Sequence, residues 1–273
     1  MPEIVSASYR TDIPAFFTDW LLARLAAGVV RVRNPYGGPP ALVRLDRESV
    51  AAWVFWTRNP SKLGPVLDRI DQPVAVQMSI LDYPRELDPF VPPAAQQIVW
   101  FRALAARLGP RAMVWRYDPI VMVGGYDHRT AFAVLARALA GASDEVVVSF
   151  AHPYAKTVRN LRGIDWRDPD RREKQDLLID LQAIAARHGL SLTVCSQPDL
   201  LVDGIAGAAC IDAGRLQVIA PLKANRPGCL CAAARDIGRY DTCAHGCRYC
   251  YANHTPAAGR AGVRDHKAQA EQL

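Results

Sequence analysis

Short apolar or β-branched runs alternate with helical stretches along almost the whole chain, and this alternation limits the fold more than any other feature. Runs at residues 4–9, 29–33, 53–57, 74–80, 112–117, 145–150, 191–195 and, less sharply, 209–212 are each closed by polar residues, Gly or Pro, as strands are. Helices are expected between them over 14–27, 47–52, 60–69, 93–108, 130–139 and 172–188. In the last, Leu177, Leu178, Leu181, Ile184 and Ala185 recur at helical spacing, which makes one apolar face for packing on a sheet. Strand–helix units of this kind, with near-continuous apolar strands, imply an α/β fold in which helices cover a parallel sheet. About eight strands in roughly 220 residues suit a parallel (β/α)8-like barrel, with an open doubly wound sheet as the alternative.

The chain has 273 residues, half of them hydrophobic, enough for one large domain or two ordinary ones. The expected division is a β/α barrel over 1–220, a cysteine-rich cluster-binding segment over 221–256 and a small, polar, flexible tail over 257–273. The run 82–93, with four prolines, reads as a rigid loop. No apolar run approaches the roughly 18 residues of a membrane span. The N-terminus enters an apolar stretch without a basic segment or cleavage site, so a cytoplasmic protein is expected, with no membrane partner. No Gly-x-Gly-x-x-Gly or P-loop follows any strand, and nucleotide binding by those routes has no support. The net charge of +6 and pI near 9.0 fit an acidic partner such as nucleic acid, although the arginines are scattered rather than clustered.

The chemistry concentrates in Cys243-Ala-His-Gly-Cys247-Arg-Tyr-Cys250, a Cys-x3-Cys-x2-Cys spacing near the C-terminus. Three thiolates within eight residues reach three corners of one iron–sulfur cube when a tight loop gathers them, and Gly246 permits such a loop. One iron of a four-iron cluster then lacks a protein sulfur and can bind a small molecule, as open catalytic metal sites do. A zinc site is the alternative, with Cys229, Cys231, His245 and His254 near enough in sequence to complete four ligands. The second Cys-x2-Cys or His-x3-His pair of a zinc ribbon is missing from the chain, and the ligand types and spacing favour iron–sulfur over zinc. Seven cysteines in a chain of this length without an export signal argue against a disulfide framework. Four cysteines remain: Cys195, Cys210, Cys229 and Cys231. Four is the number that closes a second iron–sulfur cluster or a structural zinc site. Cys195 and Cys210 also suit ordinary buried packing positions.

In parallel β/α folds chemistry sits beyond the C-terminal ends of the strands, and here those ends are polar. They carry Arg10 and Asp12, Asn34, Arg58 and Asn59, Arg116 and Asp118, Ser149 with His152, and Ser196 with Gln197. Arg10, Arg58 and Arg116 have the planar fork that binds a carboxylate or phosphate. Asp12 and Asp118 suit ribose hydroxyls, an ammonium group or those arginines. Taken singly, each is also a plausible loop cap, Asp12 an N-cap and Asn34-Pro and Asn59-Pro turn starters.

The cysteine loop, with aromatic Tyr249 before its last cysteine, resembles that of the radical S-adenosylmethionine (radical SAM) enzymes. The chain as a whole resembles the DUF1848 family of uncharacterised bacterial proteins. The residues that carry this are Ser6-Ala-Ser-Tyr-Arg-Thr-Asp-Ile-Pro-Ala15, Val54-Phe-Trp-Thr-Arg-Asn-Pro60, Trp115-Arg-Tyr-Asp-Pro-Ile120 and Asp236-Ile-Gly-Arg-Tyr-Asp-Thr-Cys-Ala-His-Gly-Cys-Arg-Tyr-Cys-Tyr-Ala-Asn253. The Arg116-Tyr-Asp-Pro119 block is also similar to a barrel segment of spore photoproduct lyase-like radical SAM enzymes. These resemblances imply a [4Fe-4S] cluster on Cys243, Cys247 and Cys250 whose open iron chelates S-adenosylmethionine, with Arg116, Asp118 and Tyr249 near the cofactor. They imply hydrogen abstraction from a small-molecule or nucleic-acid substrate beside Arg10, Asp12 and Arg58, and an electron donor such as flavodoxin or ferredoxin. Radical SAM enzymes usually carry the loop after the first strand, whereas here it follows the last. Ring closure would set those strands side by side, so the loop is expected to cover the same mouth. The competing classes are a zinc- or cluster-stabilised nucleic-acid-binding protein without activity, and a metal-dependent hydrolase, for which the strand ends supply few His and carboxylate ligands.

Overall fold

The computed structural model describes residues 1–35, 37–223 and 226–273. Its strands are β1 (Glu3–Ala7), β2 (Val29–Val32), β3 (Ala41–Arg44), β4 (Val50–Thr57), β5 (Val74–Ser79), β6 (Met113–Ile120), β7 (Met122–Val123), β8 (Glu145–Phe150), β9 (Trp166–Arg167), β10 (Ser191–Val194), β11 (Ala206–Gly207) and β12 (Ala234–Asp236). The helices are α1 (Ile13–Phe16), α2 (Thr18–Ala27), α3 (Gly64–Leu67), α4 (Ala94–Leu108), α5 (His128–Leu139), α6 (Ala155–Asn160), α7 (Arg171–Arg187) and α8 (Pro256–Arg264). Eight strands form one sheet in the order β11-β10-β8-β6-β5-β4-β1-β12, and every ladder in it is parallel. The α/β class and the large parallel sheet follow.

Alternation along the strands sorts side chains by size. Trp53 and Phe55, Met113 and Trp115, and Val76 and Met78 join the main core under the helices. Ile4, Ala52, Val54, Ala75, Val114 and Val147 face the other way, into a second core made of mostly smaller residues. The face with the smaller residues, turned away from the helices, is the inner face. The chain between β11 and β12 covers this inner face with Ala208, Cys210, Ile211, Leu216, Cys231 and Ala232.

The structure departs from the expected elements at several places. Residues 47–52 are not a helix. Asp46 caps a turn there, accepting from Ser49 N at 3.1 Å, and Val50, Ala51 and Ala52 begin β4, because the apolar run continues unbroken to Thr57. The 29–33 run leaves the main sheet, and β2 pairs antiparallel with β3. The 14–27 helix is broken at Phe17 into α1 and α2, and the 60–69 helix shrinks to α3. The weak 209–212 strand is replaced by β11, just upstream, while β12, only three residues long, carried no apolar run to announce it.

The 257–273 segment is not a loose tail. Thr255 caps α8, accepting from Ala258 N at 3.1 Å. Gly259 lies so close to the cysteine loop that a Cβ there would come within 2.2 Å of Cys243 O. Trp20 Nε1 donates to Ala270 O at 2.9 Å, Arg31 N donates to Glu271 O at 3.0 Å, and Leu273 is buried. Small residues that looked featureless in sequence are what allow this close approach. Among the described residues, no helix is long and apolar enough to cross a membrane.

Candidate active site

A cavity of about 180 Å³ lies at the C-terminal ends of the strands. Arg10 and Asp12 after β1, Arg58 after β4, and Arg116 and Asp118 in β6 line it, together with Cys243, Cys247, Cys250 and Tyr249 from the loop after β12. The pairing of β12 with β1 carries the cysteine loop to the first strand. Residues expected separately from the strand ends and from the cysteine spacing therefore share one cavity.

The loop is held from several sides. Thr11 Oγ1 donates to Thr242 O at 2.7 Å, and Phe90 N donates to His245 O at 3.2 Å. Gly246 takes φ +74°, with the Phe90 ring packed against it. The backbone N–H groups of His245 and Asp12 donate to Cys243 Sγ, and Ala252 N donates to Cys250 Sγ at 3.3 Å. Arg58 Nη1 donates to Cys247 Sγ at 3.2 Å. Burial pushes all three thiols up from their ordinary pKa, and at Cys247 Asp88 adds to the effect while Arg58 opposes it. Donors aimed at sulfur stabilise thiolate and cluster charge, and they set the potential of a bound cluster.

The three arginines do not stand free to bind an anion. Each is buried and paired: Arg10 Nε with Asp236 Oδ1 at 2.8 Å, Arg58 Nη1 with Asp88 Oδ2 at 2.9 Å, and Arg116 with Asp118. For Arg58 and Arg116 burial opposes the charge, but their acidic and thiol neighbours outweigh it, and both pKa values end well above the usual guanidinium value. Tyr249 joins the Arg58 pair, its hydroxyl donating to Asp88 Oδ1 at 2.7 Å. The Arg116 guanidinium also lies over the Trp56 ring, 5.0 Å from its centroid.

Asp236 organises the base of the site. Its carboxylate accepts from Ser6 Oγ at 2.9 Å, Ser8 Oγ at 2.6 Å, Tyr9 N at 3.0 Å and Gly238 N at 3.0 Å, besides Arg10. Asp12 does cap α1, accepting from Ala15 N at 3.0 Å. Its other oxygen accepts from Arg58 N at 2.7 Å and contacts His245 Nε2 at 2.8 Å. His245 is buried, lines the cavity, and leaves Nδ1 without a hydrogen-bond partner among the described residues. Sequence reasoning missed Asp236 and Asp88, and it weighed His245 only as a zinc ligand. The Asp236 block was visible, but not its partner, more than 200 residues earlier. His254 points elsewhere: Nδ1 pairs with Asp241 Oδ2 at 2.6 Å at the surface.

The other cysteines gather on the inner face of the sheet. Cys210 Sγ lies 3.3 Å from Cys195 Sγ, and Cys231 packs in the same core. Ile211 N donates to Cys231 Sγ at 3.4 Å. Cys229, half-buried, packs against the same core. The Cys210 thiol is held up at about 11: its hydrogen bond with Cys195 lowers it, while Cys231 and burial raise it. Among the described residues, no group of three His, Cys, Asp or Glu side chains is gathered closely enough to hold a single metal ion.

Fold and site together define an α/β protein with a large parallel sheet and a cysteine-bearing cavity at its strand ends. The family model of the domain of unknown function DUF1848 matches residues 4–252, and the chain belongs to that family. No curated protein matches it.

Proposed function

We propose that this protein is a radical SAM-type enzyme that binds a [4Fe-4S] cluster through Cys243, Cys247 and Cys250. One observation carries the reading: three thiols of one short loop, each provided with a donor to sulfur, line the same cavity as Arg10, Asp12, Arg58, Arg116 and Asp118. The residues present fit a cluster. Its three ligands would sit on separate irons and need not crowd round one ion, and their donors suit an anionic sulfur core. When bound and reduced, such a cluster supplies the electron that splits the sulfonium of S-adenosylmethionine and so starts hydrogen abstraction from a substrate.

The chain's own residues prepare that chemistry. Arg58 and the loop's backbone N–H groups steady the thiolates. The Arg116–Asp118 pair, stacked on Trp56, offers the cofactor a charged edge and a flat face. Arg10, Asp12 and Arg58 border the space left for substrate. The sequential order of the eight parallel strands supports a (β/α)8-like barrel, and Ala232 N donates to Ile211 O at 2.8 Å between the segments that follow β11 and precede β12. An oxygen-sensitive cluster suits the cytoplasm, with a flavodoxin- or ferredoxin-like donor. A nucleic-acid-binding protein has less support at this cavity, because Arg10, Arg58 and Arg116 are buried and paired and present no free charge to a phosphate backbone.

The test is anaerobic reconstitution with iron and sulfide, reduction with dithionite and assay of S-adenosylmethionine cleavage. Slow formation of 5′-deoxyadenosine is expected without substrate, and its loss in C243A/C247A/C250A. A colourless wild-type protein with stoichiometric zinc and no iron overturns the reading.

A further inference from the structure

We propose that Cys195, Cys210, Cys229 and Cys231 bind a second iron–sulfur cluster on the inner face of the sheet. The four come from three separate segments: the end of β10, the loop after β11 and the chain leading into β12. Ordinary packing does not require cysteine sulfurs to be brought together, yet Cys210 touches Cys195, and Cys231 packs in the same core. Two further features point to a ligand.

The first is charge. Arg116 Nη1 donates to Cys210 Sγ at 3.0 Å, and Arg226 Nη2 donates to Cys195 Sγ at 3.4 Å. Two guanidinium groups aimed at neutral, buried thiols are poorly used, because a thiol is a weak acceptor. Four thiolates around an iron–sulfur core carry net negative charge, and such a core accepts hydrogen bonds from guanidinium donors far better than thiols do.

The second is shape. Gly228 sits at φ +72°, and a Cβ there would lie 2.6 Å from Pro198 Cδ. A residue lacking Cβ therefore lets the Cys229-Leu-Cys231 loop press onto the turn that follows Cys195. Among the described residues, these cysteines do not form a group set to hold a single ion. A cluster, whose ligands attach to different irons, can take four cysteines from three segments without their converging on one ion. Arg116 touches Cys210 and lines the cavity, so the second centre lies one side chain from the first.

This site is independent of the function proposed above, and the test separates the two. Full-length C243A/C247A/C250A, reconstituted anaerobically, is expected to keep roughly half the wild-type iron with matching sulfide. Retention of zinc alone, or of no metal, overturns the proposal. Because substitutions at buried Cys210 can prevent folding, a second measurement uses the wild-type protein. Native anaerobic alkylation read by peptide mass spectrometry should find Cys195, Cys210, Cys229 and Cys231 protected in the loaded protein and opened by chelation. If chelation leaves the labelling of Cys229 unchanged, the four-cysteine ligand set is wrong.

Discussion

The two cysteine groups are built in opposite ways. Cys243, Cys247 and Cys250 belong to one turn, face a cavity, and receive donors mostly from the backbone of their own loop. Cys195, Cys210, Cys229 and Cys231 come from distant segments, lie over an apolar inner face, and receive two donors from arginine side chains. A local loop fixes its ligands by backbone geometry and can leave a coordination position open. A non-local group depends on the whole sheet being assembled, and it closes on itself. The first design suits reaction with a small molecule; the second suits a buried, fully ligated centre.

The sharpest way to break this comparison is at Asp236, which anchors the base of the cavity side. Asp236→Ala leaves the buried Arg10 charge unpaired, which costs about 3–5 kcal/mol of stability, measurable by urea unfolding. Iron bound by the cavity group should fall with it, while alkylation protection of the inner group persists in the fraction that stays folded. Equal loss at both would mean that the two groups are not separate structures.

Acid tests a neighbouring layer. His128 is buried, with Nδ1 2.9 Å from Tyr117 Oη and Nε2 3.1 Å from Val121 O. Burial lowers its pKa from 6.5 to about 4. Between those values the unfolded chain binds more protons than the folded one, so stability is full above about pH 6.5 and falls as the pH drops towards 4. The loss is on the order of 3 kcal/mol. The unfolding midpoint should follow that slope in wild type and flatten in His128→Gln. Tyr83 packs edge-on against both His128 and Tyr249, so the cavity side should weaken first.

Two glycines give the smallest and most selective effects. Gly259→Ala drives a methyl against Cys243 O, and Gly228→Ala drives one against the Pro198 ring. Each should cost about 1–3 kcal/mol. The first should loosen iron only in the cavity group, and the second should expose only Cys195, Cys229 and their neighbours to alkylation. Crossed effects would dissolve the distinction.

What could be read from sequence followed the same divide. The cysteine loop and the polar ends of β1, β4 and β6 were legible because each is a short stretch with its own spacing. The inner group was legible only as a count of leftover cysteines, since nothing local links Cys195 to Cys231. Arginine partners were invisible for the same reason: Arg10 meets Asp236 and Arg58 meets Asp88 through tertiary contact. Helix 47–52 failed because its second half, Val50-Ala-Ala52, continues into the apolar run of β4 and the strand absorbed it. The α/β class and the large parallel sheet were foreseen, whereas β12 was not, because three residues held by a single ladder to β1 leave almost no pattern.

The contact between Asp12 and His245 spans 233 residues. A ribosome making this chain N-terminus first exposes β1 and its polar loop long before the segment that completes them. Until the last portion emerges, the edge of β1 that will pair with β12 lacks its neighbour, and the carboxylate of Asp12 lacks its imidazole. Contacts this far apart in sequence are slow to form. The cavity therefore takes its final form only after synthesis has ended, and a nascent chain stalled before residue 236 would present an unfinished edge for chaperones to shield.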